Sequence, residues 1–217
     1  MILVTAGDSF TYGDELPNRI DDCWPSKLSK LLNSTQLTNL GIPGASNTCI
    51  VRTILDYISS EPPPDLIVIG WSSPGRIEYA DTEGPFDIWP GSNRPYEEDD
   101  SRRQLAHYVN NHHNSEYLYH QYLSNVILLQ SFLTARNIKY LMMTTVANEF
   151  YHKTYYRKLP LLTALIDPTY FVGWPIQGMA EWTYGVPKGP GGHFLEEGHT
   201  KVAEKINEHI RHLGWVS

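Results

Sequence analysis

Segments typical of strands alternate with segments typical of helices along the chain, and this alternation limits the folds that the chain can adopt. Strands are predicted over residues 2–6, 36–41, 65–70 and 138–146. Helices are predicted over residues 24–33, 46–60, 116–136 and the last 20 residues. Strands that alternate with helices indicate βαβ units, in which a parallel sheet is covered on both faces. We therefore expect an α/β protein, with one domain over residues 1–217.

Two stretches interrupt this alternation. Residues 74–115 hold most of the negative charge, because residues 77–103 carry eight acidic residues against three arginines in a chain of net charge −7. The stretch is too long for an ordinary connection, so we expect an irregular, lid-like insertion there. Residues 147–192 are also irregular and rich in aromatic side chains, such as Tyr155 and Trp182. These side chains either line a sugar- or acyl-binding cleft or pack onto the core.

Composition excludes several classes of protein. A net acidic chain has no basic stripe for a phosphate backbone, so no nucleic-acid partner is expected. No apolar run approaches about 18 residues, which predicts no membrane span. The short apolar N-terminus does not fit a signal peptide, and Cys23 and Cys49 fit no disulfide or zinc pattern, so we expect a cytoplasmic protein with reduced thiols. A loose group of histidines over residues 107–120 is expected to be solvated and not to bind a metal.

Small polar residues follow the predicted strands at the edge where parallel sheets carry their sites. Ser9 comes directly after the first strand, between Gly7 and Gly13, where it either caps a helix or exposes its hydroxyl. Gly44 follows the second strand, and Ser72 and Ser73 follow the third. These strand ends therefore hold the candidate site residues.

The spacing of these residues resembles the sequence blocks of the SGNH hydrolase family. Gly7-Asp8-Ser9-Phe10 is similar to its GDS(L) signature, in which the serine is the nucleophile. The second block is similar to residues 39–47, and the family glycine at the place of Gly44 donates its N–H to the oxyanion. The third block, G-x-N-D, matches Gly70-Trp71-Ser72-Ser73, so the missing oxyanion donor is expected from either serine or a nearby backbone N–H.

A cation follows this third block. Arg76 lies three residues beyond Ser73, near the same strand end. It either orients a polar or acidic group of the substrate or pairs with Glu78. The residues leave both interpretations open, and the pair is favoured.

The last family block, D-x-x-H-x-x-x-x-G-H, resembles residues 190–199 and places His193 at the general base. Pro190 stands where the family has its aspartate, so the usual acid is absent. A backbone carbonyl of residues 190–192, or a carboxylate such as Asp167 or Glu181, is expected to accept from the imidazole. A second frame, Glu196 with His199, is disfavoured because His199 falls inside the helix, where a surface or supporting role is expected.

The resemblance implies a fold and an activity. It implies a three-layer, flavodoxin-like α/β/α sandwich with about five parallel strands in the order 2-1-3-4-5, and no metal or organic cofactor. The implied activity is that of a serine esterase, acting on a small acyl ester such as an O-acetyl group on a glycan. Two alternatives remain: an acyltransferase with the same site, and a non-catalytic glycan-binding module. The acidic insertion at 74–115 is expected to flank the site and to disfavour anionic substrates.

Overall fold

The computed structural model describes residues 1–88, 100–146 and 158–216. The helices and strands are, in chain order, β1 (Ile2–Gly7), α1 (Ser9–Tyr12), α2 (Arg19–Asp22), α3 (Trp24–Leu31), β2 (Gln36–Gly41), α4 (Asn47–Ser60), β3 (Leu66–Trp71), β4 (Ile77–Asp81), β5 (Gly84–Ile88), α5 (Asp100–His112), α6 (Ser115–Ala135), β6 (Lys139–Thr144), α7 (Pro160–Thr163), α8 (Met179–Trp182) and α9 (Glu196–His212). The four predicted strands and four predicted helices are confirmed as β1, β2, β3, β6, α3, α4, α6 and α9. None of the described helices is both long and apolar enough to cross a membrane.

The main sheet is parallel and has the strand order β2-β1-β3-β6. Phe171 extends it beyond β6 through an isolated parallel bridge to Met142. Two backbone hydrogen bonds form this bridge: the Met142 N–H donates to the Tyr170 carbonyl at 2.8 Å, and the Val172 N–H donates to the Met142 carbonyl at 2.8 Å. The predicted order is therefore confirmed, with the fifth position reduced to one bridge within the described residues.

The sheet buries both of its faces, because successive side chains of a strand point to opposite sides. In β3, Ile67 and Ile69 pack with the helices α4 and α6 on one face. Leu66 and Val68 pack on the other face with α3 and α9. The three-layer α/β/α architecture is thereby confirmed, and it leaves the ends of the strands as the place where polar groups can collect.

Part of the stretch 74–115 is regular, which corrects the expectation of an irregular insertion. The strands β4 and β5 form an antiparallel hairpin, and α5 packs on it. Ile88, Ala106 and Val109 make a small separate core between them. Arg102 ties α5 to the hairpin turn through carboxylates at 2.6 and 3.1 Å. These few apolar residues are flanked by charged side chains, so the sequence shows no clear strand or helix periodicity here. The aromatic residues Trp89 and 150–156 lie outside the described residues.

The helix α9 docks through a buried histidine. His199 is fully buried, and its Nδ1 accepts the Trp24 N–H at 3.0 Å, which joins α9 to the start of α3. Among the described residues, its Nε2 has no hydrogen-bond partner. Burial lowers the pKa of His199 to about 3, from an ordinary value of 6.5. The expected surface position of this histidine is therefore wrong, because it belongs to the core.

Acid should weaken the fold through His199. In the unfolded chain the imidazole of His199 is protonated below about pH 6.5. In the folded chain it stays neutral until the pH falls to about 3. Stability from the neutral imidazole is therefore present above pH 6.5 and is lost as pH falls, by up to about 1.4 kcal/mol per pH unit. Urea unfolding of wild type and His199→Asn, which keeps an acceptor but does not titrate, should show their difference shrinking between pH 7 and 4. A difference that is constant with pH would contradict the assignment.

Candidate active site

The first helix lies directly on the edge of the sheet and carries Ser9 there. Asp8 caps α1 by accepting the Phe10 N–H on Oδ1 at 3.1 Å, so the capping role does not fall to Ser9. The helix α1 lies so close to β1 and β2 that each of these strands needs a glycine where they meet. A Cβ on Gly7 would lie 2.2 Å from Thr11 Oγ1, and a Cβ on Gly41 would lie 2.4 Å from the Tyr12 nitrogen. The sequence thus seats the Ser9 hydroxyl at the carboxyl edge of β1.

Two side chains from the N-terminal segment and one from a distant loop form a hydrogen-bonded series. Ser9 Oγ lies 2.8 Å from His193 Nε2, and His193 Nδ1 lies 2.8 Å from Glu15 Oε2. The ring of Phe10 packs beside the imidazole at a centroid distance of 4.8 Å. Because Glu15 can only accept when ionised, Nδ1 carries the proton and Nε2 is left to accept from the serine.

Glu15 supplies the carboxylate that Pro190 cannot. Besides the imidazole, it accepts the Gly191 N–H at 2.6 Å and the His193 N–H at 3.0 Å. The hydrogen bond from Gly191, together with those from His193, lowers the pKa of Glu15 below its ordinary value of 4.5. The loop that bears the histidine therefore wraps around an ionised carboxylate from the segment that bears the serine.

The two carboxylates expected as acceptors for His193 bind other groups, and Glu15 takes the place expected for a backbone carbonyl of residues 190–192. Asp167 accepts the Thr169 N–H at 2.9 Å, and Glu181 accepts the Gly178 N–H at 2.7 Å. Sequence reasoning missed Glu15, although Pro190 implied an acid from another segment and Glu15 closely follows the serine. Its backbone has a φ of 66°, a left-handed conformation that is uncommon for a residue other than glycine. No sequence pattern announces that conformation for a glutamate.

A buried carboxylate joins the ends of three strands. Asp8 follows β1 and is fully buried. Its Oδ2 accepts from Ser72 Oγ at 3.0 Å after β3, from Thr145 Oγ1 at 2.9 Å after β6, and from Arg76 Nη1 at 3.2 Å. Arg76 also donates to Ser72 Oγ at 2.8 Å. The favoured pair of Arg76 with Glu78 is therefore wrong, because Arg76 pairs with Asp8 and Glu78 pairs with Arg52 at 2.6 Å.

The expected oxyanion donors fall into two groups. Gly44 lies in the turn after β2 with a φ of 86°, and its N–H donates to no atom of the described residues. The Ser9 N–H is also without an acceptor among the residues that the structure describes. Ser72, in contrast, donates its hydroxyl proton to Asp8 and its N–H to Asn47 Oδ1 at 2.9 Å. Ser73 Oγ accepts the Gly75 N–H at 3.3 Å. Ser72 thus supports the strand end and does not offer a donor.

One group of side chains has the composition of a metal site. The ligand atoms of Cys49, Glu78 and Asp87 lie within 4.8 Å of one another. Burial raises the pKa of Cys49 to about 12, so this thiol stays protonated at neutral pH, and burial also raises the pKa of Asp87 above its ordinary value. Glu78 is neutralised by Arg52 at 2.6 Å. Protonated ligands bind a cation poorly, so this group fits a polar cluster better than a metal centre.

A protein family described as a family of unknown function (DUF6071) matches residues 14–217. The chain belongs to this family. None of the curated proteins compared with the chain matches it. The match spans Glu15 and His193 and begins shortly after Ser9.

Solved structures with a similar fold are esterases and acylhydrolases. TesA has a TM-score of 0.60 and 16% sequence identity, over 98% of this chain and 99% of TesA. A family two carbohydrate esterase from Clostridium thermocellum, solved with cellohexaose, has a TM-score of 0.53 and 15% identity, over 99% of this chain and 65% of that one. AlinE4, an SGNH-hydrolase family esterase, has a TM-score of 0.50 and 15% identity, over 99% and 94% of the two chains. At these identities the likeness shows the fold, which is that of the SGNH hydrolases.

Removing the cation beside Asp8 should destabilise the protein. Arg76→Met leaves a fully buried carboxylate without its counter-charge, which typically costs about 3–5 kcal/mol. Arg52→Met breaks the more exposed pair with Glu78 and serves as the matched control, with an expected cost below about 1 kcal/mol. Urea unfolding at pH 7 measures both. If both variants lost the same free energy of unfolding, the buried pair of Arg76 with Asp8 would contribute no more to stability than the exposed pair of Arg52 with Glu78.

Proposed function

We propose that the protein is a carboxylic ester hydrolase that uses Ser9 as nucleophile, His193 as general base and Glu15 as the carboxylate that orients the base. The observation that supports this proposal most is the unbroken series of 2.8 Å contacts from Glu15 through His193 to Ser9. An imidazole needs such an acceptor on one nitrogen to present the other in its basic form. The esterase fold of the solved relatives agrees with this reaction class.

Acylation begins when Ser9 Oγ attacks the ester carbonyl carbon and transfers its proton to His193 Nε2. Glu15 holds the Nδ1 proton and stabilises the imidazolium that forms. The N–H groups of Ser9 and Gly44 donate hydrogen bonds to the carbonyl oxygen and stabilise its negative charge. Collapse of the tetrahedral intermediate breaks the bond to the alcohol oxygen, which takes the proton from Nε2.

Deacylation repeats these steps with water. A water molecule gives its proton to Nε2 as it attacks the acyl carbon, and the second intermediate releases the acid and restores the Ser9 hydroxyl. The Asp8 network does not touch the reacting atoms in this scheme. It holds the ends of β1, β3 and β6 in one arrangement, so that Ser9 keeps its position relative to His193.

For the substrate we propose a small acyl group on a neutral alcohol, such as an O-acetyl group on a glycan. A relative of similar fold is a carbohydrate esterase solved with cellohexaose. We further propose that residues 1–217 form one domain, in which the acidic segment at 74–115 flanks the site. Its charge then disfavours anionic esters near the strand ends.

The carboxylate at His193 Nδ1 weighs against a binding module, because a module without chemistry has no use for an oriented base. An acyltransferase would use the same site with an alcohol in place of water. Product analysis with an added sugar acceptor distinguishes the two, since a transferase forms a new ester and a hydrolase forms free acid.

Ser9 should be the residue that a fluorophosphonate labels. The wild type should gain one covalent adduct, detected by intact mass spectrometry, and Ser9→Ala should gain none. His193→Ala should react far more slowly, because nothing then removes the hydroxyl proton. Labelling that survives in Ser9→Ala would overturn the assignment of the nucleophile.

Glu15 should matter for turnover even though it does not touch the substrate. Glu15→Gln should lower kcat for p-nitrophenyl acetate by about 10²–10⁴-fold, because the amide no longer fixes the tautomer of His193. Gly189→Ala should act in the same direction, since its Cβ would lie 2.6 Å from the Glu15 carboxyl carbon and displace it.

The matched control for the second variant is Gly75→Ala. Its Cβ would meet Ser73 Oγ at 3.6 Å, an ordinary contact, so activity should stay at the wild-type level. If Glu15→Gln and Gly189→Ala both keep wild-type kcat, Ser9 and His193 work as a dyad and the role given to Glu15 is wrong.

A further inference from the structure

The structure contains a cavity of about 410 Å³, and one residue of its wall, Arg76, contacts Asp8, the residue before Ser9. The cavity is bounded by the start of α4, the strand β4, and the helices α5 and α6, and neither Ser9 nor His193 lines it. Much of its wall comes from the segment 74–115, which the family blocks in the sequence do not include. Its volume is within the range of sites that hold small molecules, about 300–1,000 Å³.

The wall of this cavity is dominated by phenol rings and side-chain amides. Tyr108 and Tyr117 are largely exposed, and the ring of Tyr108 stacks on His112 at a centroid distance of 4.4 Å. Gln121 and Asn125 add amide groups from α6. Flat aromatic faces next to groups that both donate and accept hydrogen bonds suit a ligand with apolar C–H faces and several hydroxyls.

The charges in the wall are already neutralised by protein partners. Arg76 is held by Asp8 at 3.2 Å, and Glu78 is held by Arg52 at 2.6 Å. An anion in the cavity would have to compete with Asp8, and a cation would have to compete with Arg52. The wall therefore favours an uncharged ligand.

The hydroxyl of Tyr122 belongs to a residue of the cavity wall. Tyr122 is only 2% exposed, and its hydroxyl forms no hydrogen bond with any of the described residues. Burial raises the pKa of Tyr122 well above its ordinary value, so the group remains a hydroxyl that can donate. A buried donor without an acceptor is costly, and a ligand oxygen that reaches the hydroxyl through a small movement of the wall would remove that cost.

We infer that the cavity binds one uncharged saccharide unit, as the part of the substrate that bears the ester. This inference rests on the proposed function and extends it. Two residues connect the cavity with the site. Arg76 lines the cavity and contacts Asp8, the residue before Ser9. Asn47 lines it and donates to the carbonyls of Ser72 and Ser73 at 3.2 Å.

Binding is tested in the full chain carrying Ser9→Ala, so that no ester chemistry interferes. Cellobiose, xylobiose and chitobiose serve as neutral probes, digalacturonic acid serves as the anionic probe, and isothermal titration calorimetry measures Kd. At least one neutral probe should bind, and digalacturonic acid should bind more weakly. Absence of binding by all three neutral probes, or tighter binding of the acid, would overturn the inference.

The hydroxyl of Tyr122 gives the sharpest variant. Tyr122→Phe should raise Kd for the neutral probe by about tenfold, because the ligand loses a buried donor. Its Tm should not fall, since the hydroxyl has no partner among the described residues of the free protein.

Tyr119→Phe is the matched control, because it removes a neighbouring hydroxyl outside the cavity wall and should leave Kd unchanged. Tyr108→Ala, which removes an exposed face, should also weaken binding. Unchanged Kd in both Tyr122→Phe and Tyr108→Ala would place the saccharide elsewhere.

Turnover of p-nitrophenyl acetate by the wild type separates this inference from the proposed function. If turnover is present and no neutral saccharide binds, the cavity assignment fails alone. If saccharide binds through Tyr122 and the wild type shows neither turnover nor labelling, the esterase proposal fails and the saccharide is not part of an ester substrate.

Discussion

The arrangement of the site depends on the buried carboxylate of Asp8. This single group accepts hydrogen bonds from residues that follow β1, β3 and β6, and it pairs with Arg76. A buried charge is tolerated only where donors surround it, so the donors fix the relative positions of the strand ends. Ser72, which stands where the SGNH pattern has its asparagine, fits this account. Ser72 gives its proton to Asp8, so the third block of this chain acts as a support for the strand ends.

Glu15 changes how the histidine is oriented. In the family pattern, the acid precedes the histidine on the same loop. Here that position is a proline, and the loop turns its backbone N–H groups toward a glutamate from the N-terminal segment. The carboxylate thus holds both the imidazole and the loop that carries it. The left-handed backbone of Glu15 is the kind of local strain that persists where surrounding contacts compensate for it.

The sequence could predict the layers of the fold, because periodic apolar residues decide which face of each strand and helix is buried. The rule that parallel strands end at one edge of the sheet also placed Ser9 there, and the resemblance to the SGNH sequence blocks predicted His193 as its partner. The hairpin β4–β5 and α5 were missed because their core is only a few residues wide. The role of Glu15 and the pairings of Arg76 with Asp8 and of His199 with Trp24 could not be predicted. They arise from contacts between distant segments, about which local patterns carry no information.

The three proposed catalytic groups come from two parts of the chain that are far apart in sequence. Ser9 and Glu15 lie on one short N-terminal segment, whereas His193 follows 178 residues after Glu15. His193 comes shortly before α9, and α9 contacts the start of α3 through His199 and the Trp24 N–H. The serine and the carboxylate are therefore synthesised early, and the imidazole is added only after the four strands of the main sheet have been made. A chain emerging from the ribosome has no imidazole for Ser9 until synthesis has passed His193.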